Sequence, residues 1–212
     1  MRCNNGWMSS VESDAKPLLL PLIKGEAFLL SKADVATISK WIALKIIISE
    51  HENPKNQVTP REDREKFMRD GVVPSYFDIR IANHSCTSQV GFFRKTWTIL
   101  VARGESPPKP REEFPVKNIQ DVHFIIGSLL VVGGASRSNI RIGEMFNVVP
   151  DALPRIWPLP EGRLSWPPQR VLVNPQIQML LKRVDTFLNL SRPKWCEHPS
   201  EPLNWSAKEP DP

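Results

Sequence analysis

The apolar residues of this 212-residue chain change from a helical to a strand-like period at Pro74, and that change restricts the fold classes open to it. Before Pro74, Val35, Ile38, Trp41, Ile42, Leu44 and Ile46 recur at helical spacing, with Thr37, Lys40, Lys45 and Ser49 on the opposite face. Ser31-Lys32-Ala33-Asp34 opens this stretch with a capping box, whose hydroxyl and carboxylate take up free amides of the first turn. After Pro74, Phe77, Ile79 and Ile81 alternate with Asp78 and Arg80, the pattern of a half-buried antiparallel strand. Helices followed by strands predict an α+β fold: helices gathered in the N-terminal third, a mainly antiparallel sheet of about four or five strands, and a C-terminal helix.

Local punctuation places the remaining elements. Pro17 and Pro21 interrupt the apolar run at Leu18–Ile23, which predicts a short helix or two broken turns between Glu12 and Ile23. Thr59-Pro60-Arg61-Glu62 predicts a helix with threonine as its cap, stopping at Gly71 and lying on the outside of the fold with Phe67 and Met68 as anchors. Val90–Ala102 and Val122–Gly133 read as two further strands, separated by a proline-rich loop at 104–110. Asn139–Val149 reads as another, anchored by Ile140, Ile142 and Met145, with Gly143 as a bulge. Leu153–Pro160 and Trp166-Pro167-Pro168 are proline-fixed and unsuited to a central strand, and Asn174-Pro175 begins the last helix. The chain so divides into residues 1–25, an α+β domain at 26–190, and a proline-rich tail at 191–212 that reads as disordered.

Charge and cysteine usage narrow the functional classes. A net charge of +5, from 28 basic and 23 acidic side chains, permits a polyanionic partner without the density of a DNA-coating protein. Cys3, Cys86 and Cys196 are odd in number and widely spaced, which predicts a reducing, cytoplasmic setting rather than a disulfide-stapled secreted domain. No secretory signal is expected, and the longest apolar run, Phe124–Ala135, is too short to cross a membrane. No phosphate-cradling glycine loop, G-x-S-x-G elbow or H-E-x-x-H motif occurs. His51, His84, His123 and His198 are far apart, and His123, inside an apolar strand, reads as a structural core histidine. His84-Ser85-Cys86 and Cys196-Glu197-His198 each supply too few ligands for a metal site. Arginine and lysine beside tryptophan, as in Arg94-Lys95-Thr96-Trp97, suit stacking on and neutralising a nucleic-acid strand. Arg94, Lys95, Arg137 and Arg141 are accordingly the candidate nucleic-acid-binding residues.

The most specific stretch is Cys3-Asn4-Asn5-Gly6-Trp7-Met8-Ser9, continued by Glu12, Ala15-Lys16-Pro17, Pro21-Leu22-Ile23 and Gly25. It resembles a bacterial and phage group of the HNH endonuclease superfamily that carries a C-x-x-C-N-N-G-W-M-S motif. The likeness is dense over about the first 50 residues, with the helix around Trp41 and the later Trp157-Pro158 and Trp166-Pro167 as weaker support. It implies a metal-dependent DNA endonuclease in which a histidine activates water, a divalent metal stabilises the leaving oxygen, and paired cysteines hold a structural zinc. On this mapping Cys3 is the second cysteine of a pair and Asn4 the motif asparagine. The first cysteine and the catalytic histidine would fall before Met1, so residues 1–25 read as the remnant of a nuclease motif. The expectation is a truncated, non-cleaving, DNA-associated protein with no catalytic residue and no cofactor of its own. Zinc and a divalent metal would belong to a longer form, with Cys3 as a zinc ligand only if an upstream cysteine exists. The alternative is a phage or mobile-element protein-interaction module.

Overall fold

In a computed structural model of the chain, the described residues are 6–85, 91–97, 117–138, 141–147 and 149–190. In chain order the elements are α1 (Trp7–Lys24), β1 (Phe28–Leu30), α2 (Lys32–Ser49), α3 (Arg61–Asp70), β2 (Phe77–Asn83), β3 (Gly91–Trp97), β4 (Ile119–Ile126), β5 (Leu129–Ser136), α4 (Ile142–Met145), β6 (Arg155–Trp157), β7 (Leu164–Trp166) and α5 (Asn174–Leu190). Five strands form one antiparallel sheet in the order β3-β4-β5-β2-β6, and β1 pairs with β7 in a separate two-stranded ribbon. The fold is α+β with N-terminal helices. No helix among the described residues is long and apolar enough to cross a membrane.

Both faces of the sheet are covered. Phe77, Ile79, Ile81, Val122, Phe124, Val131 and Ala135 pack with α1 and α2 into one core. Ala82, Ile119, Leu130 and Val132 pack with Ile142, Met145 and Phe146 of the α4 region, and with Ile177 and Leu180 of α5, into a second. The helix α2 is the centre of the first layer. Its capping box forms as predicted, Asp34 N–H donating to Ser31 Oγ and Ser31 N–H to Asp34 Oδ2. Ser49, on the face expected to be polar, is buried, and Ser39, on the apolar face, is buried with its hydroxyl donating to the Ile156 carbonyl at 3.1 Å.

Several elements differ from expectation for identifiable reasons. The segment at 7–24 is one continuous helix, not broken turns, although Pro17 and Pro21 lie inside it. The prolines stand four residues apart, away from the buried line Val11, Ala15, Leu19 and Leu22. The carbonyls they leave unbonded therefore lie on the outer side, while burial of the inner side holds the helix together. In α3, Gly71 ends the helix in the left-handed conformation as predicted, but Pro60 is the N-cap and no side chain caps it. Thr59 is not the cap because its hydroxyl donates to buried Glu50 at 2.7 Å. Phe67 is buried as expected, whereas Met68 is exposed.

The predicted strand at 122–133 is a hairpin. Gly127, with φ 56°, and Ser128 form a two-residue loop between β4 and β5, so that one apolar run pairs with itself. Within the predicted strand at 139–149, Ile142–Met145 form instead the single helical turn α4, Gly143 is held against Asp78 rather than in a ladder, and Ile140 lies outside the described residues. Within residues 1–25, α1 packs on the sheet and contributes Val11, Ala15, Leu19 and Leu22 to the first core. The continuation of β3 to Ala102 and the tail at 191–212 lie outside the described residues.

Gly133 and Gly134, at the middle of the sheet, admit one layer each. A Cβ on Gly133 would stand 2.7 Å from Ile46 Cδ1, and one on Gly134 would stand 2.7 Å from Ile142 Cδ1. Gly133→Ala is expected to lower the unfolding free energy by about 1–3 kcal/mol, the cost of overpacking. Ile46→Val, which removes the obstructing methyl, should recover part of the loss in the double variant. A urea-denaturation cycle in which the two losses simply add would show that the side chains do not meet.

Candidate functional site

The strand β2 was expected to show Asp78 and Arg80 to solvent. It buries them instead, because α4 and the residues around it cover that face. Burial of two charges is tolerated because they are paired: Arg80 Nε donates to Asp78 Oδ1 at 2.9 Å. Arg80 Nη2 also donates to the Gly143 carbonyl at 2.9 Å, and Nη1 lies 3.5 Å from Asn147 Oδ1. The guanidinium is thereby locked in place. Gly143 is required for this arrangement, since a Cβ there would stand 2.1 Å from Asp78 Oδ2.

These residues form the floor of a cavity of about 480 Å³, bounded by Ser75–Phe77, Ser136, Ser138, the α4 turn and Arg155. Arg155 enters from β6, the outer strand beside β2, where it pairs directly with Arg80. A bulge lies at that point, because Ile79 pairs with Trp157 while Arg80 pairs with Arg155. Bulges of this kind re-aim side chains beside binding sites. Arg141 completes the basic set at the rim, 3.9 Å from Glu144. The cavity is therefore lined by three guanidiniums, two carboxylates and three serine hydroxyls, with Asp78 already neutralised by Arg80.

The four candidate basic residues do not line one groove. Arg94 and Lys95 alternate to opposite faces of β3. Arg94 donates from Nε to Gln120 Oε1 at 3.0 Å and from Nη2 to the Asn56 carbonyl at 2.6 Å, while Lys95 stands opposite Asp121 on the other face. Arg137 reaches the same loop as Arg94, its Nη1 lying 3.5 Å from the Val58 carbonyl. Arg94 and Arg137 are thus brought together as braces, and Arg141 alone of the four reaches the cavity. Burial lowers the pKa of Arg94, with Glu50 and Glu52 opposing that shift.

The brace rests on a fully buried carboxylate. Glu50 accepts from Thr59 N–H, from the Thr59 hydroxyl at 2.7 Å and from Gln120 Nε2 at 2.6 Å, so every donor around it has a use. On the opposite face His123 Nε2 lies 2.6 Å from Asp121 Oδ1, both buried, with Phe93 and Phe146 edge-on to the imidazole. His123 is a core residue, as expected.

Of the motif residues, Cys3, Asn4 and Asn5 lie outside the described residues, as do Cys86 and Cys196. Gly6 caps α1 and Trp7 packs edge-on against Phe67 with ring centroids 5.8 Å apart, a packing role. Among the described residues no three His, Cys, Asp or Glu side chains converge to hold a metal ion. Trp157 is half-buried and its indole N–H donates to the Pro74 carbonyl at 3.0 Å, and Trp166 is buried. Asp78 and Arg80 were missed as site residues because they look like ordinary solvent-side alternation, and Arg155, although it stands beside Trp157 as a cation next to an aromatic ring, because its proline-fixed stretch gives no sign of joining the sheet beside Arg80. The one local hint was the glycine at 143.

No known protein family, no curated protein and no solved structure matches this chain.

Tyr76, on the cavity wall, is the only tyrosine in the chain and so reports on this region alone. Burial, and then its hydrogen bond to Asp63 Oδ2 at 2.8 Å, push its pKa well above the usual value. A free phenol ionises near pH ~10. Above that pH the unfolded chain has lost a proton that the folded chain keeps, so stability falls as pH rises. Phenolate absorbance is expected near pH ~10 in urea-unfolded protein and only beyond it in the native state. Tyr76→Phe should reduce the alkaline loss of stability. A native phenol titrating at the ordinary value would contradict this environment.

Proposed function

We propose that the chain is a nucleic-acid-associated protein that binds a phosphate-bearing strand without cutting it, the phosphate entering the α4-side cavity. One observation carries the reading. Arg80 and Arg155 are direct cross-strand neighbours whose side chains enter the same cavity. Like charges opposite one another on adjacent strands destabilise a sheet, and Asp78 offsets only one of them. An anion between the guanidiniums removes that repulsion and uses the planar N–H forks in the way arginine binds phosphate. The rim residue Arg141 and the serine hydroxyls extend the same chemistry. The reading agrees with what the resemblance of residues 3–25 to the HNH nuclease group implies for a partner, and it assigns this chain binding rather than hydrolysis.

Fluorescence anisotropy with single-stranded and duplex oligonucleotides tests it. Binding is expected to weaken linearly in log K against log salt as counterions are released. Arg155→Ala should weaken it about tenfold and flatten the salt slope by about one contact. Magnesium- or manganese-dependent nicking of supercoiled plasmid by the pure protein would overturn the non-cleaving part, and salt-insensitive or absent binding would overturn the rest.

A protein partner is the second reading, supported by an apolar cleft of about 390 Å³ between α2, the edge strand β3 and its neighbour β4. Trp41, Ile48, Phe92, Phe124 and Ile126 line it, and Phe92 is 49% exposed. A partner seated there would persist at high salt and be released by Phe92→Ser.

A further inference from the structure

We infer that the α4-side cavity is a phosphomonoester site, selecting a terminal phosphate over the phosphodiesters inside a strand. This rests on the anion-binding reading above and narrows it. The decisive feature is depth. Arg80, the cavity floor, is only 7% exposed, so a group that touches it must descend between the Ser75–Phe77 segment, the α4 turn and Arg155. An internal phosphodiester carries a sugar on each side, one charge and two free oxygens. A terminal phosphate has one attachment, three free oxygens and nearly two charges at neutral pH.

The donors match the terminal group. Arg80 is held rigidly by Asp78 Oδ1 and the Gly143 carbonyl, and these bonds, with the long contact to Asn147, use three of its five N–H groups. Arg155 approaches from the neighbouring strand, and Ser136 and Ser138, their hydroxyls 3.0 Å apart, stand on the wall as adjustable donors. A guanidinium fixed before the ligand arrives costs no ordering on binding, which favours a compact, highly charged group. A volume of about 480 Å³ takes a phosphate with its attached nucleoside. The carboxylates in the lining do not oppose this equally. Asp78 is neutralised by Arg80, and Glu144 projects from the exposed rim beside Arg141.

The phosphate could be supplied by the end of a nucleic-acid strand or by a free mononucleotide. The test uses one oligonucleotide sequence in three forms: 5′-phosphorylated, 3′-phosphorylated and without terminal phosphate. Inorganic phosphate and adenosine monophosphate serve as competitors. A terminal phosphate, at one end or both, is expected to tighten binding by about tenfold or more. Adenosine monophosphate should compete, and Arg155→Ala should remove the advantage. Arg80→Ala leaves Asp78 unpaired in a buried place and endangers the fold, so the exposed Arg155 and Arg141 carry the mutational test. Gly143→Ala, which adds no charge, should reduce the phosphate advantage by displacing Asp78 from Arg80.

Equal, salt-sensitive binding of all three oligonucleotides would overturn the phosphomonoester assignment and leave the nucleic-acid reading standing. Binding of the mononucleotide with no oligonucleotide binding would support the assignment and overturn the nucleic-acid reading. Failure of every probe to bind would overturn both.

Discussion

Two consecutive glycines in the middle strand of the sheet set how closely both neighbouring layers can approach it. The strand β5 is third of five, and Gly133 and Gly134 point to opposite faces there, one meeting Ile46 of α2 and the other Ile142 of α4. Side chains pushed into the gap left by a missing Cβ bring the layers nearer than a larger residue would allow. The close approach of α4 has a chemical result. It places the Gly143 backbone on Asp78 and roofs the Asp78–Arg80 pair, turning what would be a solvated row of the sheet into a cavity with a fixed guanidinium.

Closing both faces obliges every polar side chain in the sheet to find a partner, because an unpaired buried charge costs several kcal/mol. On each side buried charged side chains are paired separately. On the α2 side Arg94, Gln120, Glu50 and Thr59 form one chain of hydrogen bonds that ties β3 and β4 to the end of α2 and to the start of α3. On the α4 side Asp121 lies against His123 and Asp78 against Arg80, on strands separated by the glycine-bearing β5. The first network, in which Glu50, Thr59 and Gln120 are buried, is structural. The second face is where the cover stays open beside Arg155, and that opening distinguishes a binding cavity from a brace.

Reading the chain locally succeeds where the deciding forces are local. Ser31 and Asp34 bond only to each other's backbone, and Gly71 stops α3 because its own left-handed conformation suits glycine, so both appear in the sequence. It fails where a distant residue intervenes. Thr59 is an ordinary helix cap in isolation, yet it is taken by Glu50, which only the fold brings near. Pro17 and Pro21 break an isolated helix, but here their line faces outward and the buried line holds. Arg94 and Lys95 look like a basic pair in the sequence, while the pleat sends them to opposite faces. Of the four candidate basic residues, Arg94 and Arg137 therefore act as braces, Lys95 lies across the sheet and Arg141 stands at the cavity rim.

By itself the sequence determined the class of the fold, the places of α2, α3, β2 and α5, the capping box of α2 and the stop of α3, since hydrophobic period and cap chemistry act over a few residues. Tertiary structure alone decided which charges are buried and which are presented. Asp78 and Arg80 become a cavity floor because α4 covers them, and Arg155 joins them because a bulge in β6 re-registers it against Arg80. Burial and cross-strand register are properties of elements far apart in the chain, and no window of sequence contains both partners.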